Sequence, residues 1–72
     1  MIRIFEVLNG KMNWTGVTIA NKRNIERAMR DHSLDNPGIP FVAAEVDGRG
    51  NVEHVLMSAT SGQITATQYA YA

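Results

Sequence analysis

The sequence predicts a single α+β domain in which one helix packs on an antiparallel sheet of four to five strands, in the order β-β-α-β-β-β. Three observations predict this fold. An Asn-Gly pair separates two strand-like runs, one segment has helical periodicity, and two more strand-like runs flank a glycine-containing loop. The 72 residues allow one small domain, residues 1–72, close to the lower limit for burying a useful core.

The first hairpin is predicted around Asn9-Gly10, because a type I′ turn needs positive φ at both central residues. This turn would pair Phe5 with Trp14 and Val7 with Met12. Because side chains alternate along a strand, these four residues share one face, which we expect to be the core. The opposite face is mixed and expected to be half-exposed; it carries Ile2, Ile4, Glu6, Lys11, Asn13 and Thr15.

The single helix is predicted over residues 21–33, with Asn21 as its N-cap. Its apolar stripe has i, i+3, i+4, i+7 spacing and consists of Ile25, Ala28, Met29 and His32. At about 100° per residue, Arg23, Arg27 and Arg30 cluster on the opposite side. Glu26–Arg30 and Arg27–Asp31 are i,i+4 pairs of opposite charge, the first in the more favourable order.

A second hairpin is predicted from the strand-like runs 41–46 and 52–57. A three-residue loop would place Glu45 opposite Glu53, whereas a four-residue loop would place it opposite His54. We favour the His54 pairing, because like charges directly opposite each other are destabilising. A fifth strand is predicted over residues 64–71, with Thr65, Thr67, Tyr69 and Tyr71 on one face.

The charges are balanced overall but unevenly distributed. Seven basic and seven acidic side chains give zero formal net charge, which argues against a general electrostatic coat for nucleic acid. Residues 20–33 carry four basic and two acidic side chains, whereas the rest of the chain carries three basic and five acidic ones. The helix therefore predicts a local docking surface for an anionic partner, set against the simpler interpretation of a solvated face with weak ion pairs.

The common catalytic and metal-binding motifs are absent from the sequence. There is no phosphate-binding loop or nucleophile elbow, and Gly48-Arg49-Gly50 lacks the third glycine of a dinucleotide fingerprint. The chain has no cysteine, and its acidic residues do not match calcium-loop spacing. We expect no catalytic residue, cofactor or metal, with His32 partly buried at the helix end and His54 a cross-strand partner of Glu45.

The leading hypothesis is a cytoplasmic, non-catalytic protein-binding module that inhibits, adapts or regulates by occluding a partner with an acidic patch. Short chains of this kind are frequent among phage and mobile-element proteins that bind host machinery. One alternative is a nucleic-acid binder using the arginine face; another is a subunit of a homo-oligomer or larger assembly. No stretch is long and apolar enough to suggest a membrane span. The candidate partner-binding residues are Lys22, Arg23, Arg27, Arg30, Tyr69 and Tyr71.

Overall fold

The computed structural model describes residues 1–68 and has the predicted α+β fold, with one helix on a five-stranded antiparallel sheet. The strands are β1 (Ile2–Leu8), β2 (Lys11–Ile19), β3 (Phe41–Val46), β4 (Val52–Thr60) and β5 (Gln63–Thr67). A 3-10 turn (Lys22–Asn24) leads into helix α1 (Ile25–Asp35). The strand order is β2-β1-β3-β4-β5, so the chain crosses β1 between β2 and β3 through the helix.

The first hairpin has the predicted turn and register. Asn9 and Gly10 have φ of 53° and 75°, as a type I′ turn requires, and Phe5 lies opposite Trp14. The ladder is then interrupted, because residues 15–17 of β2 together oppose the single residue Ile4 of β1. This bulge lets the second half of β2 return to regular pairing with the start of β1.

The second hairpin places Glu45 opposite His54, as predicted. It does so through an irregularity in the ladder and not through the expected four-residue loop. Val46 pairs with Val52 beyond a tight loop, and a register shift lies between Glu45 and Val46. Glu53 is therefore left without a partner in the ladder. The bulge avoids the Glu45–Glu53 juxtaposition that a regular ladder with a three-residue loop would impose.

The helix packs as its sequence pattern predicts, but its bounds differ from the predicted residues 21–33. A 3-10 turn occupies Lys22–Asn24, so the α-helix begins at Ile25, and it ends two residues later than expected, at Asp35. Asn21 caps the preceding 3-10 turn, its side-chain oxygen accepting a hydrogen bond from the Arg23 backbone N–H at 3.0 Å. Ile25 and Met29 are completely buried. The partly buried His32 packs edge-on against Phe41, with ring centroids 4.6 Å apart.

The main core lies between α1 and one face of the sheet. Ile25 and Met29 of the helix stripe belong to it, together with side chains from β1 to β4. Its buried members are Ile2, Ile4, Ile19, Ile25, Met29, Phe41, Ala43, Leu56, Met57 and Ala59. Ala28, Ile39 and Ile64 pack against its margin. This burial stabilises a helix too short to persist alone in water.

The core face predicted for the first hairpin is wrong. Ile2 and Ile4 are buried beneath the helix, whereas Trp14 is 48% exposed and Met12 is 37% exposed. Alternation along the strands defines two faces but does not specify which one the helix covers. Of the residues expected in the core, only Phe5 is buried, in a separate cluster on the helix-free face.

The end of the helix is fastened to the β4–β5 turn by buried Ser33. Its hydroxyl accepts a hydrogen bond from the Gly62 backbone N–H at 2.9 Å and donates to the Arg30 carbonyl at 3.2 Å. In the same region, Ser61 Oγ accepts a hydrogen bond from the Gly38 N–H at 3.0 Å. These contacts join the helix and the following loop to the last hairpin.

We expect Ser33→Ala to lower the free energy of unfolding by about 1–3 kcal/mol, because the Gly62 N–H loses its acceptor. Urea unfolding, with an unchanged m-value, measures the effect. Ser58→Ala is the matched control, because its bond to Thr65 is exposed. Equal losses in the two variants would contradict the structural role of Ser33.

We expect Ile4→Ala to cost about 2–5 kcal/mol, because Ile4 is completely buried in the main core. Trp14→Ala should cost less, about 1–2 kcal/mol, because half of that side chain already contacts solvent. Denaturant unfolding of both variants gives the comparison. A larger loss for Trp14→Ala would show that the helix-free face contributes more to stability than the helix side.

Candidate docking surfaces

The first candidate surface is the cationic helix face, defined by Lys22, Arg23, Arg27 and Arg30. The structure brings the three arginines together around one open depression, which Glu26 and Asp31 also line. The predicted clustering of these arginines is therefore confirmed. Lys22 is exposed in the 3-10 turn at the start of the helix and does not line the depression.

Two of these arginines have carboxylate partners on the same helix. Arg30 donates two hydrogen bonds to Glu26 Oε1, from Nη2 at 2.8 Å and from Nε at 3.2 Å. Arg27 is held much more loosely, with 4.0 Å between its Nε and Asp31 Oδ2 and side chains that are 87% and 71% exposed. Exposed pairs of this kind contribute about 0–1 kcal/mol, so their guanidinium groups can change partners at little cost.

Arg23 leaves the depression with an excess of positive charge. Among the described residues, no carboxylate lies within ion-pair distance of its side chain, and its backbone N–H is used by the Asn21 cap. The depression thus combines three guanidinium groups with two carboxylates. Tyr69 and Tyr71, the other predicted partner-binding residues, lie outside the described residues.

Each histidine has an identified neighbour within the described residues. His32 is packed against Phe41, and His54 is exposed on β4 opposite Glu45, as the sequence predicts for each. Within residues 1–68, no three His, Asp or Glu side chains are grouped closely enough to hold a metal ion.

The described helices include none with the length and apolar character needed to cross a membrane.

The second candidate surface is the helix-free face of the sheet, built on buried Phe5, Ala44 and Val46. Arg3 lies across it, with its guanidinium carbon 3.9 Å from the centre of the Trp14 ring. This distance is typical of a cation–π contact. Trp14 is itself oriented by a hydrogen bond from its Nε1–H to the Val17 carbonyl at 3.2 Å.

Arg3 carries an unsatisfied donor on this face. Its Nε is buried and has no hydrogen-bond acceptor. The turn of the second hairpin closes in beside it: a Cβ atom placed on Gly50, whose φ is +84°, would lie 3.2 Å from Arg3 Nη1. Glycine therefore preserves space next to the guanidinium and also adopts the left-handed backbone that the turn requires.

The acidic residue of that turn is already engaged. Asp47 Oδ1 accepts hydrogen bonds from the backbone N–H groups of Asn51 at 2.9 Å and Arg49 at 2.8 Å. These bonds, that of Asn51 foremost, lower the pKa of Asp47 below its usual value. The carboxylate organises the loop and is not an ion-pair partner of Arg3.

Sequence reasoning missed the Arg3–Trp14 pair, although the sequence contains a signal for it. The predicted register places Phe5 opposite Trp14, and Arg3 is two residues from Phe5 along β1. Alternation therefore puts all three side chains on one face. The prediction that this face forms the core hides the pairing, because a charged arginine side chain is not expected in a core.

Comparisons with known proteins add no further assignment. No protein family matches the chain, and neither a curated protein nor a solved structure shows significant similarity to it. The interpretation of both surfaces therefore rests on their own geometry.

We expect Asp47→Asn to be less stable than the natural chain at neutral pH, because the ionised carboxylate accepts the loop hydrogen bonds more strongly than an amide does. The folded state lowers the pKa of this group, so its contribution is present above the unfolded pKa of about 4 and is lost as pH falls through the folded value. Urea unfolding of both chains between neutral and strongly acidic pH measures the difference. A difference that does not narrow in acid would contradict this role.

Proposed function

We propose that the protein is a small binding module that covers a partner protein's surface and thereby acts as an inhibitor, adaptor or regulator. The cationic helix face would contact an acidic patch on that partner. One observation carries the proposal: three arginines of a single exposed helix face gather around one depression, with only two carboxylates between them. Arginine is enriched among the residues that dominate protein interfaces.

The exposure of the ion pairs supports this use of the helix face. Arg27 is 87% exposed along its side chain and stands 4.0 Å from Asp31, so it can turn to an external carboxylate without leaving a buried charge behind. A planar guanidinium binds a carboxylate through two parallel hydrogen bonds, which makes such a contact selective in geometry as well as in charge.

An acidic protein suits this surface better than a nucleic-acid backbone does. Glu26 and Asp31 line the same depression as the arginines and would repel a row of phosphates. The whole chain has zero formal net charge, which provides no long-range attraction for nucleic acid. A protein surface of mixed charge can match both signs, and such matching confers specificity.

The proposal gives neither histidine a catalytic role, since His32 packs on an aromatic ring and His54 faces Glu45 across two strands. The cytoplasmic location expected from the sequence stays a prediction. So does the alternative that the chain is a subunit of a homo-oligomer or larger assembly.

We expect Arg27→Glu to abolish partner binding while changing the free energy of unfolding by no more than about 0.5 kcal/mol, because the side chain is largely solvated. Affinity capture from nuclease-treated lysate of the source organism, followed by mass spectrometry, measures the binding. Lys11→Glu is the matched control, because it makes the same charge change in an exposed residue of β2.

A partner held by the natural chain and by Lys11→Glu, but not by Arg27→Glu, is the expected result. A partner retained by Arg27→Glu would contradict the assigned surface. Labelled random oligonucleotides, titrated over a range of salt, provide the second arm. Steeply salt-dependent binding that Arg27→Glu removes would instead identify a nucleic-acid binder.

A further inference from the structure

The helix-free face is an apolar surface with one cation set into it. Its buried residues Phe5, Ala44 and Val46 are bordered by large hydrophobic side chains that solvent reaches. Strand pairing places Met12, Trp14 and Val52 on this face, and each is more than one third exposed. No other described element packs over these residues. Contiguous apolar surface of this kind commonly marks an interaction site.

Arg3 determines what kind of ligand the face would accept. Trp14 lies 3.9 Å from the guanidinium carbon, and the Nε–H is shielded from solvent without an acceptor. A buried donor without a partner is unfavourable, and the penalty is larger for a charged group. A ligand oxygen would bind the other N–H groups of this guanidinium, because the Nε–H is closed to a ligand as it is to water.

The described part of the chain does not provide that oxygen as a carboxylate. Both of its ion pairs lie on the helix, and the Asp47 carboxylate is held by its own loop. Glu6 and Glu45 pair in register with Phe41 and Ile2, whose side chains belong to the main core on the helix side. Their side chains are consequently directed away from Arg3.

We propose that the helix-free face is a second docking site, which takes a segment of a partner protein bearing an Asp or Glu next to a large apolar residue. The carboxylate would bind the Arg3 guanidinium, and the apolar side chain would pack against Trp14 and Val52. This proposal goes beyond the cationic helix face and uses none of its residues, so either surface can fail a test without the other.

Charge complementarity selects this occupant over two others. Face-to-face packing of a second copy would bring two Arg3 guanidinium groups together without a carboxylate between them. A nucleic-acid backbone would meet a surface with little positive charge, since Arg3 and Lys11 are the only lysine or arginine residues in the five strands. An apolar segment with one carboxylate matches both the single cation and its surroundings.

Selection from a displayed library of random short peptides tests the proposal even though the partner is unidentified. We expect enriched sequences to contain Asp or Glu adjacent to Leu, Ile or Phe. Trp14 is the only tryptophan, so its fluorescence reports on this face alone. Titration with a selected peptide should shift the emission to shorter wavelength, and a Glu→Gln or Asp→Asn version should bind at least about tenfold more weakly.

Three variants locate the site. Arg3→Met retains a long side chain without the charge and should bind the acidic peptide no better than the natural chain binds its amide version. Lys11→Glu should bind the acidic peptide normally, because Lys11 pairs with Leu8 and therefore lies on the opposite face of the sheet. If Arg3→Met fails to fold, Arg3→Lys decides, since it retains the charge but loses the planar fork and should weaken acidic-peptide binding several-fold.

Several results would overturn the proposal. Selection without enrichment, enriched peptides lacking a carboxylate, or equal binding of the acidic and amide peptides would remove the role of Arg3. Concentration-dependent self-association in sedimentation, accompanied by a shift of Trp14 emission to shorter wavelength, would identify a second copy as the occupant. Displacement of the peptide by random oligonucleotides would assign the face to nucleic acid.

Discussion

The rest of the structure depends on the packing of helix α1 against one face of the sheet. The eleven residues of α1 are too few to form a stable helix in isolation, and Ile25 and Met29 supply its anchorage. Because they pack with Ile4 and Phe41, the helix covers one side of the sheet, and no element of residues 1–68 covers the other. The same contact turns the arginines outward, so both candidate surfaces are consequences of it.

The two surfaces differ in the physics of recognition. On the helix, the proposed contacts would form between exposed groups in a high-dielectric environment and would be salt-sensitive and individually weak. On the sheet, one guanidinium is partly shielded beside Trp14, where the proposed electrostatic contact would be stronger. A protein that used both proposed surfaces would be suited to bridging two different partners, or to holding one partner from two sides.

Local chemistry made much of the fold predictable. The Asn9-Gly10 turn determines the register of the first hairpin. The positions of Ile25 and Met29 determine which side of the helix faces the sheet. The cluster of arginines followed from the same helical geometry. The prediction that failed was which face of the first hairpin packs against the helix. Alternation along a strand separates two faces but does not distinguish them, and the size of Trp14 suggested that its face was the core. The Arg3–Trp14 contact can be interpreted only once the face covered by the helix is known.

The hydroxyl links around the last turn also determine how the domain opens. Ser33 joins positions 29 residues apart in the chain, and Ser61 joins positions 23 apart. The final hairpin is thus not an independent appendage that frays while the helix stays in place. Its backbone amides should exchange with deuterium in the same cooperative opening as those of the helix, so that these two segments form one foldon.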